Sequence, residues 1–145
     1  MPRRFTGGRD LGYAAGTSVP VENSQAEVMK LLRREGATQT FFGSDEGRVL
    51  VGFTANNRQV KISIRLLPST TKGAAADERR KWRCLLLQLK AKFEAIRSEI
   101  STFEIEFQPH TVMPNGKTVS EIVGPLISHA YESGQMPALG AWKGN

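Results

Sequence analysis

At 145 residues, 39% of them apolar and 23% charged, the chain suits one domain with a core and is short for two. Twenty basic against 14 acidic side chains give a net charge of +6, which favours anionic partners. No apolar run approaches the roughly 18 residues of a membrane span, the Met1–Phe5 start lacks an apolar signal segment, and the single cysteine, Cys84, excludes an internal disulfide framework. A cytoplasmic protein with no membrane partner is the expectation.

The charge is uneven along the chain. Residues 1–100 carry 18 basic and 10 acidic side chains, whereas residues 101–145 carry 2 and 4. The two parts should therefore face different surroundings.

Residues 1–12 combine Arg3, Arg4 and Arg9 with Gly7, Gly8 and Gly12 and read as a flexible basic arm. Residues 13–139 read as a single domain and residues 140–145 as an irregular tail containing Trp142. Tyr13 to Val21 suggests an edge strand that closes at Pro20, since proline cannot donate to a ladder. A helix is predicted from Ser24 to Glu35, opened by the capping-box pattern Ser24-Gln25-Ala26-Glu27 and stopped by Gly36.

Three strands are predicted next: Ala37–Phe42, then a loop over Gly43–Gly47, Arg48–Thr54, a turn at Asn56-Asn57, and Arg58–Leu66. The last alternates, with Val60, Ile62, Ile64 and Leu66 on one face and Gln59, Lys61, Ser63 and Arg65 on the other. In the first strand, alternation sends either Phe41 or Phe42 away from the core. From Asp77 to Ile100 a long helix is predicted, with Trp82, Leu85, Leu86, Leu89, Phe93, Ile96 and Ile100 on one stripe. Its back gathers Cys84, Leu87, Ala91 and Ala95, which predicts a covering by the C-terminal segment or by a second subunit of a homo-oligomer.

Phe103, Ile105 and Phe107 alternate as in a strand, yet Phe103 and Phe107 also sit four apart as on a helix, and a short helix is the reading taken for residues 101–110. Met113-Pro114-Asn115-Gly116 reads as a tight turn, and Thr118-Val119-Ser120-Glu121 repeats the capping box. The helix that follows, with Ile122, Val123, Leu126, Ile127, Ala130 and Tyr131 as its apolar face, is expected to kink or restart at Gly124-Pro125 and to end at Gly134. The fold expected is α+β: a three- to four-stranded antiparallel meander covered by a long amphipathic helix, with further helical segments at either end.

Three segments carry a resemblance: Ser24-x-x-Glu27-x-x-x-Leu31-x-Arg33-x-Gly36-Ala37, Arg80-x-Trp82-Arg83-x-Leu85-x-Leu87-x-x-Lys90-Ala91-Lys92, and Pro114-x-Gly116-x-Thr118-Val119 followed by Met136-Pro137. Together, over residues 13–139, they resemble a family of small uncharacterised bacteriophage and prophage proteins. The resemblance implies a phage or prophage setting and supplies no activity, cofactor or catalytic residue. The order helix, three-stranded meander, long basic helix is also similar to the core of ring-forming single-strand annealing proteins.

Catalytic chemistry finds little in the residues. Cys84 lies on the small-residue side of a helix, as a buried filler thiol would. Glu104, Glu106 and His110 are the nearest approach to a metal-binding set, at a spacing that matches no ligand pattern, and no phosphate-binding glycine loop occurs. A non-enzymatic protein without cofactor or metal is expected. The cations offer more: Arg3, Arg4 and Arg9 on the arm, Lys61 and Arg65 on the sheet, and Arg79, Arg80, Arg83, Lys90 and Arg97 on the long helix could line a groove for phosphates. Nucleic-acid binding, on single-stranded DNA in replication or recombination, is the favoured function, and a protein-interaction or assembly module is the alternative.

Overall fold

A computed structural model describes residues 18–45 and 47–137. The predicted arm at 1–12, the Tyr13–Thr17 part of the predicted edge strand and the tail at 140–145 lie outside the described residues. Among the described residues the fold is α+β: a three-stranded antiparallel sheet ordered β1-β2-β3, with four α-helices. In chain order these are α1 (Val21–Arg34), β1 (Thr38–Asp45), β2 (Arg48–Ala55), β3 (Arg58–Arg65), α2 (Ala74–Arg97), α3 (Phe103–Glu106) and α4 (Val119–Ser133). A 3-10 turn, Gln108–His110, separates α3 from α4.

Helix α1 starts three residues before the predicted serine cap. Pro20, extended at φ −60° and ψ 149°, is the N-cap, and its carbonyl accepts from the Asn23 and Ser24 amides. Ser24 is instead fully buried inside the helix, and the Glu27 carboxylate is taken by Arg83 of α2. The capping-box reading of this segment is therefore corrected, and so is the edge strand where it is described, since Val21 opens the helix. Gly36, at φ +92°, ends α1 as expected.

Strand β1 continues to Asp45, so the predicted Gly43–Gly47 loop shrinks to a two-residue turn. The ladder runs on through Gly43↔Leu50, Ser44↔Val49 and Asp45↔Arg48, and Gly47 at φ +73° allows so tight a closure. Asn56 and Asn57, at φ 50° and 59°, close the second hairpin as a primed turn requires.

Inward residues of the sheet, among them Val49, Val51, Phe53, Val60 and Ile62, share one core with Val28, Leu31 and Leu32 of α1 and Trp82, Leu85, Leu86, Leu89 and Phe93 of α2. Helix α2 begins at Ala74 and stops at Arg97 because Glu99 turns left-handed, at φ +66°. Ile100 thereby leaves the predicted stripe and is 81% exposed. At its back, Cys84, Leu87 and Ala91 are exposed and Ala95 is half-buried, so among the described residues the C-terminal segment does not cover it.

The predicted helical reading of residues 101–110 holds: Phe103 and Phe107 are buried and Ile105 is exposed, the spacing of a helix and not of a strand. Helix α4 carries the full capping box between Thr118 and Glu121, ends at Gly134 with φ +75°, and runs on through Pro125 without a restart. None of its residues is buried.

Candidate nucleic-acid interface

Helices α1 and α2 pack on one side of the sheet. The other side is built by the outward-pointing residues of each strand, and the register aligns them in rows. Phe41, Gly52 and Lys61 form one row across β1, β2 and β3; Gly43, Leu50 and Ser63 form the next; Asp45, Arg48 and Arg65 form the third. Successive rows are about 6.8 Å apart, two residues along a strand.

A β-bulge decides which phenylalanine faces outward. Thr38 pairs with Thr54 but Phe41 pairs with Gly52, so β1 carries one extra residue between them, where Gln39 adopts φ +51°. The Gln39 side chain accepts from the Thr54 hydroxyl at 2.9 Å, which fastens the bulge to β2. One extra residue reverses the side-chain alternation. Phe42 accordingly turns inward onto Trp82, edge to face at 5.1 Å between ring centroids, and Phe41 turns outward, 50% exposed.

The Phe41 ring occupies the space above Gly52. A β-carbon at that glycine would meet the ring itself, so only glycine admits this placement. The same face carries three cations. Lys61 follows in the same row, and Arg48 and Arg65 stand opposite each other two rows away. Arg48 donates to the Ser63 hydroxyl at 3.2 Å, which holds its guanidinium across β3. Like charges facing each other across a ladder oppose folding slightly, and a bound anion relieves them. Lys61 also lies close enough to Glu121 to help hold that carboxyl below its usual range, behind the larger effect of the Thr118 backbone N–H.

The α2 cations are placed differently, because α2 packs on the core side. Arg80 and Lys81 both pair with Asp77, at 2.7 and 3.0 Å; burial works against that carboxylate, but their hydrogen bonds outweigh it and lower its pKa. Arg83 is buried and reaches both carboxylate oxygens of Glu27, at 3.0 and 3.2 Å, joining α2 to α1; this hydrogen bonding is the main cause of Glu27's lowered pKa. Arg97 pairs with Glu35 at 2.8 Å and Glu94 at 3.2 Å. Arg79 is half-buried and Lys90 is exposed. The structure thus brings Lys61 and Arg65 together on the open sheet face and sets Arg79, Arg80, Arg83, Lys90 and Arg97 apart from them; Arg3, Arg4 and Arg9 lie outside the described residues.

Sequence reasoning missed Arg48 and Gly52. Arg48 was within reach, since Val49 and Val51 point inward and their neighbour must point out. Gly52 was not, because its meaning comes from a ring on another strand.

The residues considered for chemistry are engaged elsewhere. Glu104 accepts from Asn56 at 3.5 Å, and Glu106 faces Lys92 at 3.9 Å. Among the described residues no group of three or more His, Cys, Asp or Glu could hold a metal ion, and no helix is long and apolar enough to cross a membrane. His110 is held below the ordinary histidine pKa by desolvation first and by Lys92 second. Compared with known proteins, the chain matches no family model, no curated protein and no solved structure.

Proposed function

We propose that the open sheet face binds single-stranded nucleic acid, stacking a base on Phe41 and neutralising phosphates with Arg48, Lys61 and Arg65. The observation that carries this reading is the half-exposed Phe41 ring, seated over Gly52 on a sheet face whose cations are not consumed by ion pairs within the core. An aromatic ring and a cationic track are the two parts from which sequence-tolerant single-strand binding is made, because every base has a stacking face and every nucleotide a charge. On this reading α2 serves as an amphipathic cover for the opposite face of the meander. Its paired cations Arg80, Arg83 and Arg97 work for folding, and the arm residues Arg3, Arg4 and Arg9 add affinity from outside the platform. The protein is then a non-catalytic accessory factor, acting in the cytoplasm of a phage or prophage host as the sequence resemblance suggests.

Stacking needs unpaired bases, so strand preference is the first test. Fluorescence anisotropy at low salt is expected to give tighter binding to a labelled single-stranded oligonucleotide than to the duplex of the same length. A preference for the duplex, or no binding to either, contradicts the proposal. A protein-interaction or assembly role is the second reading, and one observation favours it: α4 has an apolar stripe and no buried residue.

A further inference from the structure

Helix α4 is well specified locally and poorly used. Its capping box and left-handed Gly134 stop define both ends, yet Ile127 is 51% and Tyr131 87% exposed, and Ile122, Val123 and Leu126 are only half-buried. A 15-residue helix with Pro125 in its interior does not hold together on propensity alone, and its apolar stripe calls for a partner.

A groove of about 650 Å³ opens between the edge of β3 and α2, lined by Ile62, Ile64, Cys84 and Leu85, with Arg65 and Lys81 on its border. Its walls, Ile62–Arg65 and Lys81–Gln88, are each about 10 Å long, the length of two helical turns. Leu126 to Glu132 spans about 9 Å of helix. Charge matches as well as length: α4 carries Glu121 and Glu132 and no lysine or arginine, while Arg65 borders the groove beside Lys81, whose own charge is met by Asp77. Its own α4 is tied elsewhere, since the Val119 amide donates to Thr111 and Thr111 bridges to Val60 at the far end of β3.

The geometry points to a head-to-tail self-association, beyond the nucleic-acid reading, in which α4 of one copy lies in the β3–α2 groove of the next. Leu126, Ile127, Ala130 and Tyr131 enter the groove in the manner of an amphipathic helix, and Glu132 meets Arg65. Donor and acceptor are different surfaces, so the contact repeats from copy to copy and builds a ring or a filament.

Cys84 makes the test direct, because it is the chain's sole cysteine and lies in the groove. Under mild oxidation, full-length Ile127→Cys is expected to give a ladder of disulfide-linked multimers on a non-reducing gel. The control Ser69→Cys, on an exposed loop, is expected to remain mostly monomeric. A ladder no stronger than the control's, or a fast-migrating monomer with an internal disulfide, overturns the proposal. By light scattering the unmodified protein is expected to be multimeric at tens of micromolar and Tyr131→Asp monomeric, with unchanged circular dichroism. A monomeric unmodified protein, or a Tyr131→Asp variant of undiminished size, overturns it as well.

Discussion

Replacing Phe107 with alanine is expected to cost about 3–5 kcal/mol of folding stability. The ring is fully buried and is the meeting point of three others: Phe53 at 5.6 Å, Phe93 at 5.4 Å and Phe103 at 4.7 Å between centroids, with the Lys92 ammonium 5.6 Å from its centre. These neighbours come from β2, α2 and α3, so the cavity left by truncation is walled by separate elements that cannot collapse together. The loss is a large share of the roughly 5–15 kcal/mol that stabilises a domain. In urea the midpoint should fall by about 1–3 M at unchanged slope. A loss below about 1 kcal/mol would show that the 101–110 segment is an appendage and not part of the core.

That segment also marks the limit of what could be read beforehand. The spacing of Phe103 and Phe107 suits a helix and a strand alike, since residues four apart share a face in both, and only the exposure of Ile105 between them separates the two. The convergence of four rings was not legible, since Phe53 and Phe93 are brought in by chain reversals more than ten residues away. The same contrast runs through the sheet. Alternation in β3 disclosed which side of that strand is core, and the two asparagines disclosed the second hairpin. The bulge at Gln39 left no trace in composition, yet it alone determines that Phe41 and not Phe42 faces outward. At the helix ends, Gly36, Gly134 and Thr118 acted as local chemistry predicts; Ser24 did not, because its partner Glu27 is held by Arg83 from a distant part of the chain.

Truncating Phe41 to alanine is expected to weaken single-strand binding by about 1–3 kcal/mol, on the order of 5- to 150-fold, with little change in stability. The ring is half-exposed, so its removal opens no core cavity. Gly52→Ala separates stacking from mere bulk. It keeps the phenylalanine and pushes the ring from its seat, since the new β-carbon would meet the ring atoms. Both variants should lose affinity in the same direction and keep a cooperative thermal transition. If both bind like the unmodified protein, the ring is not a stacking platform; if only Gly52→Ala loses affinity together with its fold, the glycine serves packing alone.

The role of the open sheet face is tested most directly by the salt dependence of single-strand affinity. Each phosphate neutralised on a single strand adds about −0.7 to the slope of log K against log salt, so Arg48, Lys61 and Arg65 together should contribute about −2. The triple variant Arg48→Gln, Lys61→Gln, Arg65→Gln is expected to bind more weakly at low salt and to show a slope shallower by about that amount. An unchanged slope in the triple variant, or an unmodified protein that fails to bind at low salt, would contradict the assignment of this face to nucleic acid.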